Sequence, residues 1–105
     1  MFPGYREYKA QQYAAALPKL KPIAESGNVE AQSMLASLYQ LGLGTEVDNE
    51  QAISWYERAS AQGYGLASNN LATMRCIEGQ MEAGRRLYQL AREQGFEHAP
   101  IPRAD

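Results

Sequence analysis

The sequence predicts an all-α fold of antiparallel helix pairs stacked side by side, and three observations lead to it. The 105-residue chain is plentiful in Ala and Leu and sparing in β-branched residues, a composition that favours helix over strand. Apolar residues recur three and four positions apart, the period of one helix face. Glycines mark a repeat: Gly27, Gly63 and Gly95 are 36 and 32 residues apart, each followed four residues later by Ala31, Ala67 or Ala99. Self-similarity at this period is the mark of stacked helical units, none of which can bury its apolar stripe alone.

Six helices are expected, near 5–11, 13–26, 29–41, 49–62, 65–78 and 81–94. The first two come from "YREYKAQQYAAALPKLKPIAESG", which fits the repeat frame loosely and ends at Gly27. Pro18 and Pro22 fall inside the second helix, where each removes a backbone donor and crowds the preceding turn, so a kink or break is expected near Leu17. In the third, Ala31, Leu35 and Leu38 form one apolar stripe at i, i+4 and i+7. The fourth begins at "DNEQ": Asp48 suits the N-cap and Gln51 completes a capping-box pattern. Ala52, Trp55, Tyr56 and Ala59 make its buried face, and Gly63 ends it as a left-handed residue. The fifth is the copy of the third, "GYGLASNNLATMR" over "GNVEAQSMLASLY", with Leu71 over Leu35 and Ala72 over Ala36. The sixth copies the fourth and pairs Tyr88 with Tyr56, Ala91 with Ala59 and Gln94 with Gln62.

The stretch "AQSMLASLYQLGLGTEVDNEQAISWYERASAQG" closely resembles a Sel1-like repeat, a relative of the tetratricopeptide repeat. The family's pattern is met at Ala31, Leu35-Ala36, Tyr39, Gly42 and Gly44, Asp48, Ala52, Trp55-Tyr56, Arg58, Ala59 and Gly63. The next unit departs from it. Arg75 replaces the tyrosine, Leu87 the tryptophan, and the glycine-rich connection shrinks to "EGQ" around Gly79. "GFEHAP" opens a further unit that Pro100 and Pro102 stop. The resemblance implies a short right-handed α-solenoid whose first helices line a concave face. It divides the single 1–105 domain into a partial unit (5–26), a full repeat (27–62), a shortened repeat (63–94) and a C-terminal tail (95–105).

Several chemistries are weighed and set aside. "GLGT" at Gly42–Thr45 lacks the third glycine and the lysine of phosphate loops, follows a helix rather than a strand, and precedes Glu46, Asp48 and Glu50, which repel phosphate. Those acids lack calcium-loop spacing and suit a helix N-terminus as they stand. Trp55 and Tyr56 lie on a core stripe rather than on a ring platform. Cys76, the only cysteine, excludes an internal disulfide and a multi-cysteine zinc site. Its pairing with His98 as nucleophile and base has no surrounding motif. Arg85, Arg86 and Arg92 are interleaved with Glu82 and Glu93, as on a solvated face. The net charge is −2, with no basic arm in either half, so no nucleic-acid partner is expected. No apolar run reaches membrane-spanning length and "MFPGYREYK" lacks the apolar core of a signal peptide. No membrane insertion, metal or cofactor is therefore expected, and a cytoplasmic location fits, or a periplasmic one after removal of a signal.

One surface remains. Laid on the tetratricopeptide frame, the groove-facing positions are Glu30, Ser33, Ser37 and Gln40, then Leu66, Asn69, Thr73 and Cys76, with Tyr5 and Tyr8 continuing the line. Short polar side chains flanked by rings can hydrogen-bond a peptide backbone. The resemblance implies a non-enzymatic module that binds a protein or peptide there. The alternatives are a small hydrolase of the cysteine-rich Sel1-like type, whose repeated cysteine pairs this chain lacks, and a homo-oligomer joined through its terminal helices.

Overall fold

The computed structural model describes residues 1–97 and Ala99. Six α-helices follow one another: α1 (Tyr5–Lys9), α2 (Tyr13–Glu25), α3 (Val29–Leu41), α4 (Asn49–Ala61), α5 (Gly65–Ile77) and α6 (Met81–Glu93). There is no strand among the described residues. Each helix packs mainly on its neighbours in the chain, so the molecule is elongated, 44 × 25 × 21 Å. Sequential packing with no return of the chain is the geometry of a solenoid.

The stripes read from the sequence are the core. Leu35 and Leu38 of α3 are fully buried with Tyr56 of α4 and Leu20 of α2. Alanines at 16, 24, 31, 36, 52, 59, 67, 72 and 91 are likewise fully buried, so the helices approach closely and only a few large side chains fill the gaps between them. The tightest approach joins α5 to α6, where a Cβ on Gly84 would overlap Cys76 Sγ.

Two expectations need correction. The helix α2 runs unbroken through Pro18 and Pro22. Its buried residues are Ala16, Leu20 and Ala24, while Ala14, Pro18 and Pro22 all face solvent. The carbonyls that lose their N–H partners therefore lie on the wet side, where water replaces the missing bonds. The capping box at α4 is only half formed. Asp48 Oδ1 accepts from Gln51 N–H at 3.1 Å, but the Asp48 N–H donates to the Tyr39 carbonyl at 2.8 Å. That second bond ties the connecting loop back to α3. At α3 itself, Asn28 Oδ1 accepts from Ala31 N–H and caps the helix.

The junctions between units carry polar clamps. In the first, Gln32 Nε2 donates to the Ala24 carbonyl (3.0 Å) at the end of α2, and Gln32 Oε1 accepts from Gln62 Nε2 (3.1 Å). One repeat later the position of Gln32 holds Ser68, too short to make that reach. There Gln94 Nε2 itself donates to the Ser60 carbonyl at the end of α4 (3.1 Å), and Ser68 Oγ donates to Gln94 Oε1 (2.5 Å). With the Ser68 proton so committed, Ser60 Oγ must donate to Ser68 Oγ (2.6 Å). Both junctions add a second hydrogen bond to a last-turn carbonyl that already accepts from Gly27 N–H (3.1 Å) or Gly63 N–H (2.9 Å), using a glutamine from α3 in one case and from the C-cap of α6 in the other.

Candidate functional site

Between the first helices of the three units lies a cleft of about 240 Å³, lined by Tyr5, Tyr8 and Lys9 of α1, Glu30, Ser33, Met34 and Ser37 of α3, and Tyr64, Leu66 and Asn70 at the start of α5. It is more enclosed than the larger depressions around Met1–Gly4 and along Gly79–Arg86.

The walls are held by hydrogen bonds that the repeat itself supplies. Ser37 Oγ donates to the Met34 carbonyl one turn back (2.8 Å), which leaves its oxygen to accept from the Tyr8 hydroxyl (2.8 Å). The Tyr8 ring stands edge-on to Tyr13, with centroids 5.8 Å apart. One unit on, Thr73 Oγ1 donates to the Asn69 carbonyl (3.2 Å) and accepts from the Tyr88 hydroxyl (2.8 Å). Tyr56 reaches from α4 to donate to Gln40 Oε1 at 2.9 Å.

Of the positions expected to face a groove, Tyr5, Tyr8, Glu30, Ser33, Ser37 and Leu66 come together in this cleft. Four do not line it. Gln40 is the acceptor for Tyr56, and Thr73 is bonded to Tyr88. Cys76 packs on Gly84, so its side chain serves the α5–α6 contact. Asn69 keeps its Oδ1 buried with no hydrogen-bond partner. Lys9, Met34, Tyr64 and Asn70 line the cleft and were not foreseen. Asn70 is one turn from Leu66 on α5, so an i, i+4 search from Leu66 would have found it. Met34 looks like core by its period. His98, Pro100 and Pro102 lie outside the described residues. Among those residues there is no group of three His, Cys, Asp or Glu side chains able to hold a metal, and no helix long and apolar enough to cross a membrane.

Burial of the Tyr56 phenol, relieved slightly by Asn70, pushes its pKa well above the tyrosine range. Tyr64 is also raised, first by burial and then by the Glu30 carboxylate and Tyr5. A folded-state pKa above the unfolded one favours the neutral phenol in the native state. That contribution is complete below about pH 10 and is lost as pH rises beyond it. Urea midpoints measured from about pH 8 to about pH 11 are expected to fall at the alkaline end. Tyr56→Phe should flatten that fall while costing about 1 kcal/mol at neutral pH for the lost Gln40 bond. An alkaline limb unchanged in the variant would show that Tyr56 does not carry it.

With this geometry in place, comparison with known proteins gives a consistent result. The family model described as Sel1 repeat matches residues 29–64 and 66–96. A putative sel1-like repeat-containing protein, L21, of Acanthamoeba polyphaga mimivirus is 28% identical over 79 residues, covering 75% of this chain and 15% of its own length. The crystal structure of a Sel1 repeat protein from Oxalobacter formigenes superposes with a TM-score of 0.74 at 30% identity, covering 79% of this chain and 25% of that one. The chain thus spans about a seventh of the viral protein and a quarter of the solved one.

Proposed function

The chain belongs to the Sel1 repeat family, and on that footing we propose that it is a non-catalytic interaction module that seats an extended segment of a protein partner in the cleft between α1, α3 and α5. The observation that carries this reading is the convergence of three successive first helices on one half-open cleft. Its polar groups suit a peptide backbone, and its rings suit side chains. At about 240 Å³ the cleft falls below the usual range for a whole small-molecule ligand, roughly 300–1,000 Å³, and fits a side chain of a longer segment better. Cys76, the one thiol a cysteine-based hydrolase would use, lies outside the cleft and against Gly84.

The test is a peptide-library selection against the purified protein, followed by calorimetry on the selected peptides. Leu66 is 37% exposed at the cleft edge, so Leu66→Arg fills the cleft without a core change. It is expected to weaken binding at least about tenfold, roughly 1.4 kcal/mol, while leaving the thermal transition in place. Ser54→Arg, on an exposed position of α4, should bind as the parent does. Peptides that bind Leu66→Arg as well as the parent would place the binding surface elsewhere.

A further inference from the structure

We infer that the preferred occupant of the cleft is a basic side chain, lysine or arginine, of the partner segment. This rests on the reading of the cleft as a peptide site and adds the chemistry of what enters it. Three features select a cation that can donate hydrogen bonds.

The walls include the rings of Tyr5, Tyr8 and Tyr64 together with Met34, and aromatic faces attract ammonium and guanidinium groups. The chain's own Lys9 shows the preference, since its Nζ lies 5.8 Å from the centroid of the Tyr5 ring. Lys9 is an exposed residue on a flexible stem, so an incoming cation can displace it.

Next, Ser33 is 6% exposed and lines the cleft, and among the described residues its hydroxyl meets no side-chain or backbone partner. Its oxygen is not sealed from solvent, in contrast to the unpartnered Asn69 Oδ1, so it is open to the cleft as an acceptor. An N–H donor entering the cleft would satisfy its oxygen.

Finally, Glu30 supplies the cleft's only carboxylate. Among the described residues it makes no ion pair, whereas Glu7 pairs with Lys19 and Glu57 and Glu78 pair with Arg75. The Glu30 charge acts on the cleft, since it helps to raise the Tyr64 phenol there. An acidic occupant would meet Glu30 without compensation from any wall residue except Lys9, which is already set over Tyr5. A neutral aliphatic occupant would leave Ser33 and Glu30 to water. A lysine or arginine answers both and lays its methylene stem along the rings and Met34.

The probes are n-butylammonium and n-butylguanidinium, with neutral N-butylacetamide for comparison, followed by NMR on the intact chain. Saturable shifts are expected at Ser33 and at the Tyr5, Tyr8 and Tyr64 rings for the two cations, and not for the amide. Glu30 is exposed, so Glu30→Gln should weaken cation binding severalfold, the scale of a solvent-screened ion pair. Glu50→Gln, on an exposed residue outside the cleft, should leave it unchanged. Lys9→Met removes the internal competitor and should tighten binding severalfold. The proposal is overturned if the cations leave those signals unmoved, if N-butylacetamide shifts them as much, or if Glu30→Gln binds as the parent. It is equally overturned if Lys9→Met loses affinity. Selected peptides that occupy the cleft without a basic residue would sink this inference alone, whereas peptides indifferent to Leu66→Arg would sink the peptide-site reading beneath it.

Discussion

Gly44→Ala is expected to lower the unfolding free energy by about 3 kcal/mol, far more than a loop substitution ordinarily does. Gly44 has a φ of +74°, and a Cβ built there would lie 2.6 Å from Ala14 N and Tyr13 C and 2.7 Å from Tyr13 O. Those are backbone atoms in the first turn of α2, so no rotamer change relieves the overlap. The left-handed conformation costs a non-glycine residue about 1 kcal/mol, and forced overpacking adds roughly 2 kcal/mol. Gly63 supplies the control. Its φ is +92°, yet nothing lies within 4 Å of its virtual Cβ, so Gly63→Ala should cost only the conformational part, about 1 kcal/mol. Denaturant titrations of the two variants should separate by about 2 kcal/mol. Equal losses would mean that the loop does not press on α2 as described.

Trp55→Ala is expected to be the most damaging single truncation, at about 4 kcal/mol. The indole is 6% exposed within the shared core, and the Arg58 guanidinium lies 4.6 Å from its ring centroid. A domain of this size has only about 5–15 kcal/mol to lose, so the variant should show a broadened or absent thermal transition. Arg58→Ala removes the cation and leaves the ring buried, and should cost under about 1 kcal/mol. A loss below about 1.5 kcal/mol for Trp55→Ala would contradict its place in the core.

The helices from α3 on were legible because stripe and repeat frame agreed, with a cap signal added at α4, where Asp48 accepts from Gln51 N–H. Leu35 and Leu71, or Tyr56 and Tyr88, read as equivalent in the sequence, and the helices they define begin within a residue or so of their expected positions. The supposed break near Leu17 misled because Pro18 was judged by the bond it lacks. Which face carried the loss depends on where α3 packs, and no local rule supplies that. The cleft was half legible for a similar reason. A repeat frame tells which residues leave a helix in the same direction, and Ser33 and Ser37, placed on one face by it, both line the cleft. It equates Ser37 with Thr73, but α6 returns beside α5 and Tyr88 engages Thr73. Cys76 is drawn aside by the missing side chain at Gly84. Lys9 could have been found from Tyr5, since it lies at i+4 on the same helix and its ring contact needs only that spacing.

The glutamine clamps change what counts as a module. The Ala24 carbonyl is served by Gln32 and the Ser60 carbonyl by Gln94, residues that belong to different helices of their units. Grafting one hairpin onto another would therefore leave the second acceptor place of such a carbonyl, beside the Gly27 or Gly63 N–H it already accepts, claimed by two glutamines at one seam or by none at the next. The piece that transplants intact runs from the last turn of one second helix to the closing glutamine of the following one. It is a seam with its flanks, cut through the middle of each hairpin's neighbour, and chimeras of this chain should be spliced there.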